Sequence, residues 1–74
     1  MTPSPCLYTA LDSSLLAAAA YFTNETLQLE FRNGSIYRYF AVPPLVVHNL
    51  LAANSKGVYF NRHIRSSFRY QRLV

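Results

Sequence analysis

Six basic side chains, Arg38, Lys56, Arg62, Arg65, Arg69 and Arg72, occupy the second half of this sequence without an acid among them, because Asp12, Glu25 and Glu30 all precede residue 31. All but Lys56 are arginines, whose planar guanidinium forks match phosphate oxygens two at a time and stack on flat rings. Tyr37, Tyr39, Tyr59 and Tyr70 run through the same stretch, and an aromatic face accepts an unpaired base in stacking contact. The chemistry this pattern supports is recognition of a polyanion, with phosphates on the arginines and unstacked bases on the tyrosines. A plainer reading stands beside it: a basic face also solvates a small domain, and tyrosines also fill its core. Lys56-Gly57 after Ser55 would present free backbone amides at a helix start, yet it lacks the spacing of a P-loop and reads equally as a capped turn.

The rest of the inventory argues against catalysis. A working carboxylate pair needs two acids in one cleft, but Asp12 falls in a lead-in, Glu25 in a turn and Glu30 on a strand without an acidic neighbour. Cys6 lies in a Pro-rich start with no placed base. His48, His63 and Cys6 do not make the set of three or four ligands that a metal requires. Asn61 and His63 read as a helix cap and a packed side chain. The expectation is a non-catalytic binding module with neither cofactor nor metal.

Composition bounds the architecture that must position these residues. A chain of 74 residues, 51% apolar and 14% charged, with a formal net charge of +4, has room for one domain that buries roughly 60% of its unfolded surface. A single cysteine excludes an internal disulfide and points to a reducing cytoplasm. The longest apolar run, from Leu15 to Phe22, has eight residues, against roughly 20 needed to span a bilayer. No Lys or Arg precedes it and Asp12 does, which makes a poor signal peptide.

Residues 1–12, with Pro3 and Pro5 and no sustained period, are expected as a flexible N-terminal lead-in to a single domain over residues 13–74. Local propensity leaves residues 15–22 open between a helix, favoured by four alanines, and a strand. Residues 23–26 read as a turn. Leu27-Gln28-Leu29-Glu30-Phe31-Arg32 alternates apolar and polar residues as a half-buried strand does, Asn33-Gly34 is a hairpin loop, and Ile36-Tyr37-Arg38-Tyr39-Phe40 returns.

The loop decides which side chains meet. A two-residue type I′ loop would place Phe31 opposite Ile36 and Leu29 opposite Arg38, leaving Tyr37 and Tyr39 on the polar face. A three-residue loop with a bulge at Gly34 would place Phe31 opposite Tyr37 and Leu29 opposite Tyr39, with the tyrosines on the buried face and Arg38 in solvent. The cost of burying Arg38 unpaired favours the second.

Val42-Pro43-Pro44 ends the strand and opens a helix from about Pro44 to Ala53, with an apolar stripe of Leu45, Val46, Leu50 and Ala53 broken by Asn49. Asn54-Ser55 separates it from a second helix of about Lys56 to Arg65, where Phe60 and Ile64 pair and Arg62 and Arg65 share a face. Residues 68–74 alternate as a short extended tail.

These residues together resemble a known family. The run from Leu27 through Phe31-Arg32-Asn33-Gly34-Ser35-Ile36-Tyr37-Arg38-Tyr39-Phe40-Ala41-Val42-Pro43, then Ser55-Lys56-Gly57 with Tyr59-Phe60-Asn61 and His63-Ile64, and the closing Tyr70-Gln71-Arg72-Leu73 resemble the KTSC domain. That small module is named after the C-terminus of some lysyl-tRNA synthetases and also occurs as a free-standing bacterial or phage protein. The resemblance implies that residues 14–21 form a strand. The expected fold class is then α+β: a small antiparallel three-stranded β-meander followed by two short α-helices and a short extended tail.

For function it implies RNA as the partner, through the association with a tRNA synthetase, and fold likeness alone does not decide it. The expected nucleic-acid contacts are Lys56, Arg62, Arg65, Arg69, Arg72 and Arg38, with Tyr37 and Tyr39. The alternative is a protein-interaction or assembly module, a homo-oligomer or an accessory to a larger protein, suggested by the thin core and an open strand edge.

Overall fold

Alternating leucines on one side of a short strand demand a partner layer, and the helices that follow the central hairpin supply it. The computed structural model describes residues 5–74. The elements run β1 (Pro5–Ala10), β2 (Leu16–Phe22), β3 (Leu27–Phe31), β4 (Ile36–Tyr39), α1 (Pro44–Ala52), α2 (Lys56–His63) and β5 (Tyr70–Arg72). The strands form one antiparallel sheet in the order β1-β2-β3-β4-β5, and both helices are inserted before the last strand.

The α+β class with two helices and an antiparallel sheet is as expected, but the sheet has five strands and not three. β5 is the extended tail paired onto β4. β1 stands where a flexible lead-in was expected, and residues 1–4 of that lead-in lie outside the described residues. Its alternation is too short to read locally beside two prolines; what specifies it is pairing with β2, Tyr8 against Ala20 and Thr9 against Ala19. β2 is alanine-rich and forms a strand against its own helix propensity. A register shift between Leu16 and Ala18 lets both Leu16 and Ala19 enter the core.

Both tight loops of the meander follow one plan. Thr23-Asn24-Glu25 joins Phe22 to Thr26, and Arg32-Asn33-Gly34 joins Phe31 to Ser35. In each, the phenylalanine N–H donates across the loop, to Thr26 O at 2.9 Å and to Ser35 O at 2.8 Å, and the third loop residue donates back to the phenylalanine carbonyl. That third residue must take positive φ, 60° at Glu25 and 91° at Gly34.

Closure by Phe31 and Ser35 corrects the expected pairing: Leu29 meets Tyr37 and Leu27 meets Tyr39, whereas Leu29 had been expected opposite Tyr39. Three loop residues fix that register. The faces are as expected, with both tyrosines on the leucine side and Arg38 opposite Gln28 on the other.

The sheet-to-helix junction is clamped at Val42, which is fully buried. Its N–H donates to the Glu25 carbonyl at 2.9 Å, and its carbonyl accepts from the Tyr21 hydroxyl at 2.6 Å. Both backbone groups are thereby satisfied inside the core. α1 then buries Val47 and Leu50, with Val46 and Leu51 beside them, and leaves Leu45 at 66% exposure. This corrects the expected stripe, and the reason is chemical: turning Leu45 inward would bring Asn49 toward the core without a partner.

Ser55 caps α2 by accepting from the Val58 N–H at 3.3 Å. The helix ends at His63 and not at Arg65 as expected, because the Arg65 N–H reaches back to the Phe60 carbonyl at 3.0 Å and the chain turns away. Arg32 straps the hairpin to the β1–β2 connection, donating from Nε to the Ser13 carbonyl at 3.0 Å and from Nη2 to the Leu11 carbonyl at 2.9 Å. Among the described residues, no helix is long and apolar enough to cross a membrane.

Ala41, exposed and just before the clamp, sits at φ 57°, which strains any L side chain by about 1–2 kcal/mol. Ala41→Gly removes that strain at some cost in unfolded-chain entropy, so a net gain of about 0.5–1 kcal/mol and a melting temperature several degrees higher are expected by thermal denaturation. Gly34→Ala should lower it, although open space surrounds that position.

Candidate functional site

On the core side of the sheet, Phe60 of α2 covers Phe31 of β3 and Tyr39 of β4, and beyond them Tyr70 of β5 stands 59% exposed. A cleft of about 640 Å³ opens there, lined by Phe31, Tyr37, Tyr39, Phe60 and Tyr70, with Leu15, Asn33, Ser35, Asn61, Arg65 and Ser66 completing its wall. The width of the cleft is set by Phe60, the buried residue of α2. Its ring meets Phe31 edge-on at 5.3 Å and Tyr39 edge-on at 5.7 Å, geometries that ring quadrupoles favour.

The floor is a cluster of three tyrosines. Tyr37 and Tyr39, two apart on β4, stack at 6.3 Å, and Tyr70 reaches from β5 to within 5.7 Å of Tyr37 and 5.8 Å of Tyr39. Exposure is steeply graded across them: Tyr39 is 3% exposed and Tyr70 59%. Burial, followed by the neighbouring Tyr37 and Tyr70, pushes the Tyr39 hydroxyl up to about 12, while Arg65 pulls in the opposite direction. The Tyr39 hydroxyl has no hydrogen-bond partner among the described residues, yet no fully buried polar side-chain atom among them lacks one. The hydroxyl therefore opens to the cleft.

The polar groups of the wall are donors more than acceptors. Asn33 Oδ1 accepts from the Ser35 N–H at 3.0 Å, which leaves its amide NH2 free. Asn61 and Arg65 are four residues apart, both exposed, and both face the cleft. Asn61 stands inside α2 and not at its end, so it is no cap. The cleft wall contains no acid.

The expected contact residues divide into groups. Tyr37, Tyr39 and Arg65 meet in the cleft, and Arg72 lies at its edge with its guanidinium 5.8 Å from the Tyr37 ring and its Nε donating to the Val74 carbonyl at 3.0 Å. Arg62 and Arg69 are exposed and make no ion pair or side-chain hydrogen bond among the described residues. Arg38 faces the opposite side, donating to Gln28 Oε1 at 2.9 Å with its guanidinium 5.6 Å from the Phe22 ring. Lys56 donates to the Ala53 carbonyl at 3.1 Å and so ties off the end of α1. Tyr59 pairs with His63 at 4.5 Å, apart from the cleft-lining rings.

The sequence reading did not single out Asn33, Asn61, Phe31 or Phe60 as site residues. The i, i+4 spacing of Asn61 and Arg65 was the available signal, since such residues share a helix face; the contribution of Asn33 depends on a loop register that had not been fixed. Among the described residues, no group of three or more His, Cys, Asp and Glu is placed to hold a metal ion.

Comparison with known proteins places this geometry in context. The family model of the KTSC domain matches residues 12–68. A lysine–tRNA ligase of Nostoc sp. is 51% identical over 51 residues, a match covering 69% of this chain and 9% of the ligase. The chain thus spans about a tenth of the ligases it matches. An uncharacterized protein of Stutzerimonas stutzeri is 44% identical over 66 residues, covering 86% of this chain and 93% of that protein. The crystal structure of a KTSC domain protein from Yersinia pestis superposes with a TM-score of 0.85 at 28% identity, covering 92% of this chain and 97% of that one.

The fold holds the Tyr39 proton more tightly than the unfolded chain, whose tyrosine titrates near 10.0. The stability this contributes is fully present below pH 10 and is lost as pH rises toward 12. Urea denaturation at stepped pH should show that decline, and Tyr39→Phe should flatten it.

Proposed function

The chain belongs to the KTSC domain family, and from that premise we propose that it is a small non-catalytic module that binds RNA weakly through the basic surface running from the end of α2 to β5. The observation that carries this reading is the set of free guanidinium groups on Arg62, Arg65 and Arg69. They lie in one short segment, exposed and with neither an ion pair nor a side-chain hydrogen bond among the described residues. A structural arginine in this protein looks different: Arg32 and Arg38 both spend their donors internally. Lysine–tRNA ligases are enzymes named for a tRNA, and a KTSC segment within them suits an auxiliary contact with that polymer. Phosphate contacts of this kind position a nucleic acid without reading its sequence.

An assembly role is the second reading, and the observation favouring it is that β1 and β5 each pair on one side only within the sheet. An unpaired edge accepts a strand from another chain. Light scattering at micromolar concentration decides the homo-oligomer form: a mass of one chain throughout removes it.

Fluorescence anisotropy with labelled single-stranded RNA, tRNA and duplex DNA tests the main reading. Three phosphate contacts on a single strand give a log–log salt slope near −2, or about 20-fold weaker binding between roughly 50 and 200 mM salt. The triple variant Arg62→Glu, Arg65→Glu, Arg69→Glu should lose binding while keeping its circular dichroism spectrum, and Arg38→Glu on the opposite face should bind as the parent does. Parental affinity in the folded triple variant would refute the assignment.

A further inference from the structure

The cleft is more than a continuation of the basic surface. Phosphate binding needs only exposed cations, yet this site combines a tyrosine cluster, donor amides and a free guanidinium around about 640 Å³ of open space. That volume lies within the range of small-molecule pockets, roughly 300–1,000 Å³. The rings call for a flat, apolar-faced occupant. Arg65 and the absence of an acid from the wall call for an anion attached to it. The NH2 of Asn33, both of whose hydrogens are unused while its Oδ1 accepts from the Ser35 N–H at 3.0 Å, calls for an acceptor on the occupant's edge.

A nucleotide carries all three features in one molecule. A nucleotide locked in a duplex does not, since its base faces are stacked and its pairing edge is occupied. We infer that the cleft holds one unpaired nucleotide of a single-stranded RNA, with its base against Tyr37 and Tyr70, its phosphate on Arg65 and its base edge toward Asn33 and Asn61. The inference rests on the RNA-binding reading above and adds to it a preference for unpaired bases.

Tyr70 carries most of the accessible ring surface, at 59% exposure, while Tyr37 is half-buried behind it. Tyr70 lies on the outermost strand, paired only with β4, so its side chain can be exchanged without opening the core. A base stacked there leaves Tyr39 below it, with the Tyr39 hydroxyl facing the occupant as a neutral donor at physiological pH.

The deciding experiment compares two labelled single-stranded RNAs of about eight nucleotides, within the usual span of single-strand sites. One is a normal strand and the other has the same backbone with its bases removed, so that phosphate contacts are equal and only base contacts differ. The expected result is that the normal strand binds about tenfold more tightly than the abasic strand. Tyr70→Ala should abolish that difference, and Tyr70→Phe, which keeps the ring, should retain it. Both variants are checked for parental melting temperature.

Equal, salt-steep binding of the two strands would overturn the base pocket and leave the phosphate-binding surface standing. Binding of neither strand would overturn both readings. A preference for the normal strand that survives Tyr70→Ala would also overturn the assignment, because the base would then be held elsewhere.

Discussion

Phe60 is the contact on which the site depends. Edge-on to Phe31 from β3 and to Tyr39 from β4, it fixes how close α2 comes to the sheet and where the covering layer ends. Residues before it on α2 lie over the β1–β2 connection, where a Cβ on Gly57 would come within 3.4 Å of Leu15 Cβ. Residues after it diverge, because the helix unwinds at Ile64 and the chain must cross back to reach β5. The cleft is the space left by that divergence. Its aromatic floor is therefore a by-product of core packing: the tyrosine ladder that supports Phe60 from beneath continues past the helix into solvent.

The two sides of the sheet do different work for a physical reason. Core side chains from β2, β3 and β4 join Val42, Val47, Leu50, Phe60 and Ile64 on one side. The other side carries Arg38 and Gln28 hydrogen-bonded to each other, with Ala18 and Ala20 lying low between longer neighbours. The basic residues sort by the same logic. Those within reach of a carbonyl or an amide oxygen, Arg32, Arg38, Lys56 and Arg72, are used for structure. Those on the segment between α2 and β5, Arg62, Arg65 and Arg69, are exposed and have no such partner among the described residues.

A module matching less than a tenth of a lysine–tRNA ligase, and nearly all of a stand-alone protein, carries its own folding information. Here that information is partly local and partly long-range. Strands β1 to β4 pair with their neighbours in sequence and two loops share one hydrogen-bond plan, while the clamp that Tyr21 and Glu25 make on Val42 and the pairing of β5 with β4 reach far along the chain.

Local pattern in the sequence was enough for the central hairpin and the two helices, because period-two alternation, Asn33-Gly34, Pro43-Pro44 and Ser55 act within a few residues of themselves. The resemblance in residues 27–43 and 55–64 was enough for the family, and through it for the α+β class and the strand at β2. β1 was not readable, since an edge strand of six residues beginning at Pro5 is defined by what it pairs with and not by its own composition. The pairing of Leu29 with Tyr37 was missed because it depends on which residues close the loop. The division of the arginines into structural and free was hidden for a similar reason: it depends on the carbonyls that fold beside them. The amino-acid order set which residues are aromatic, basic or turn-forming; only tertiary packing, by stopping α2 short of β5, brought Asn33, Tyr37, Asn61, Arg65 and Tyr70 around one space, because sequence distance says nothing about where a covering layer ends.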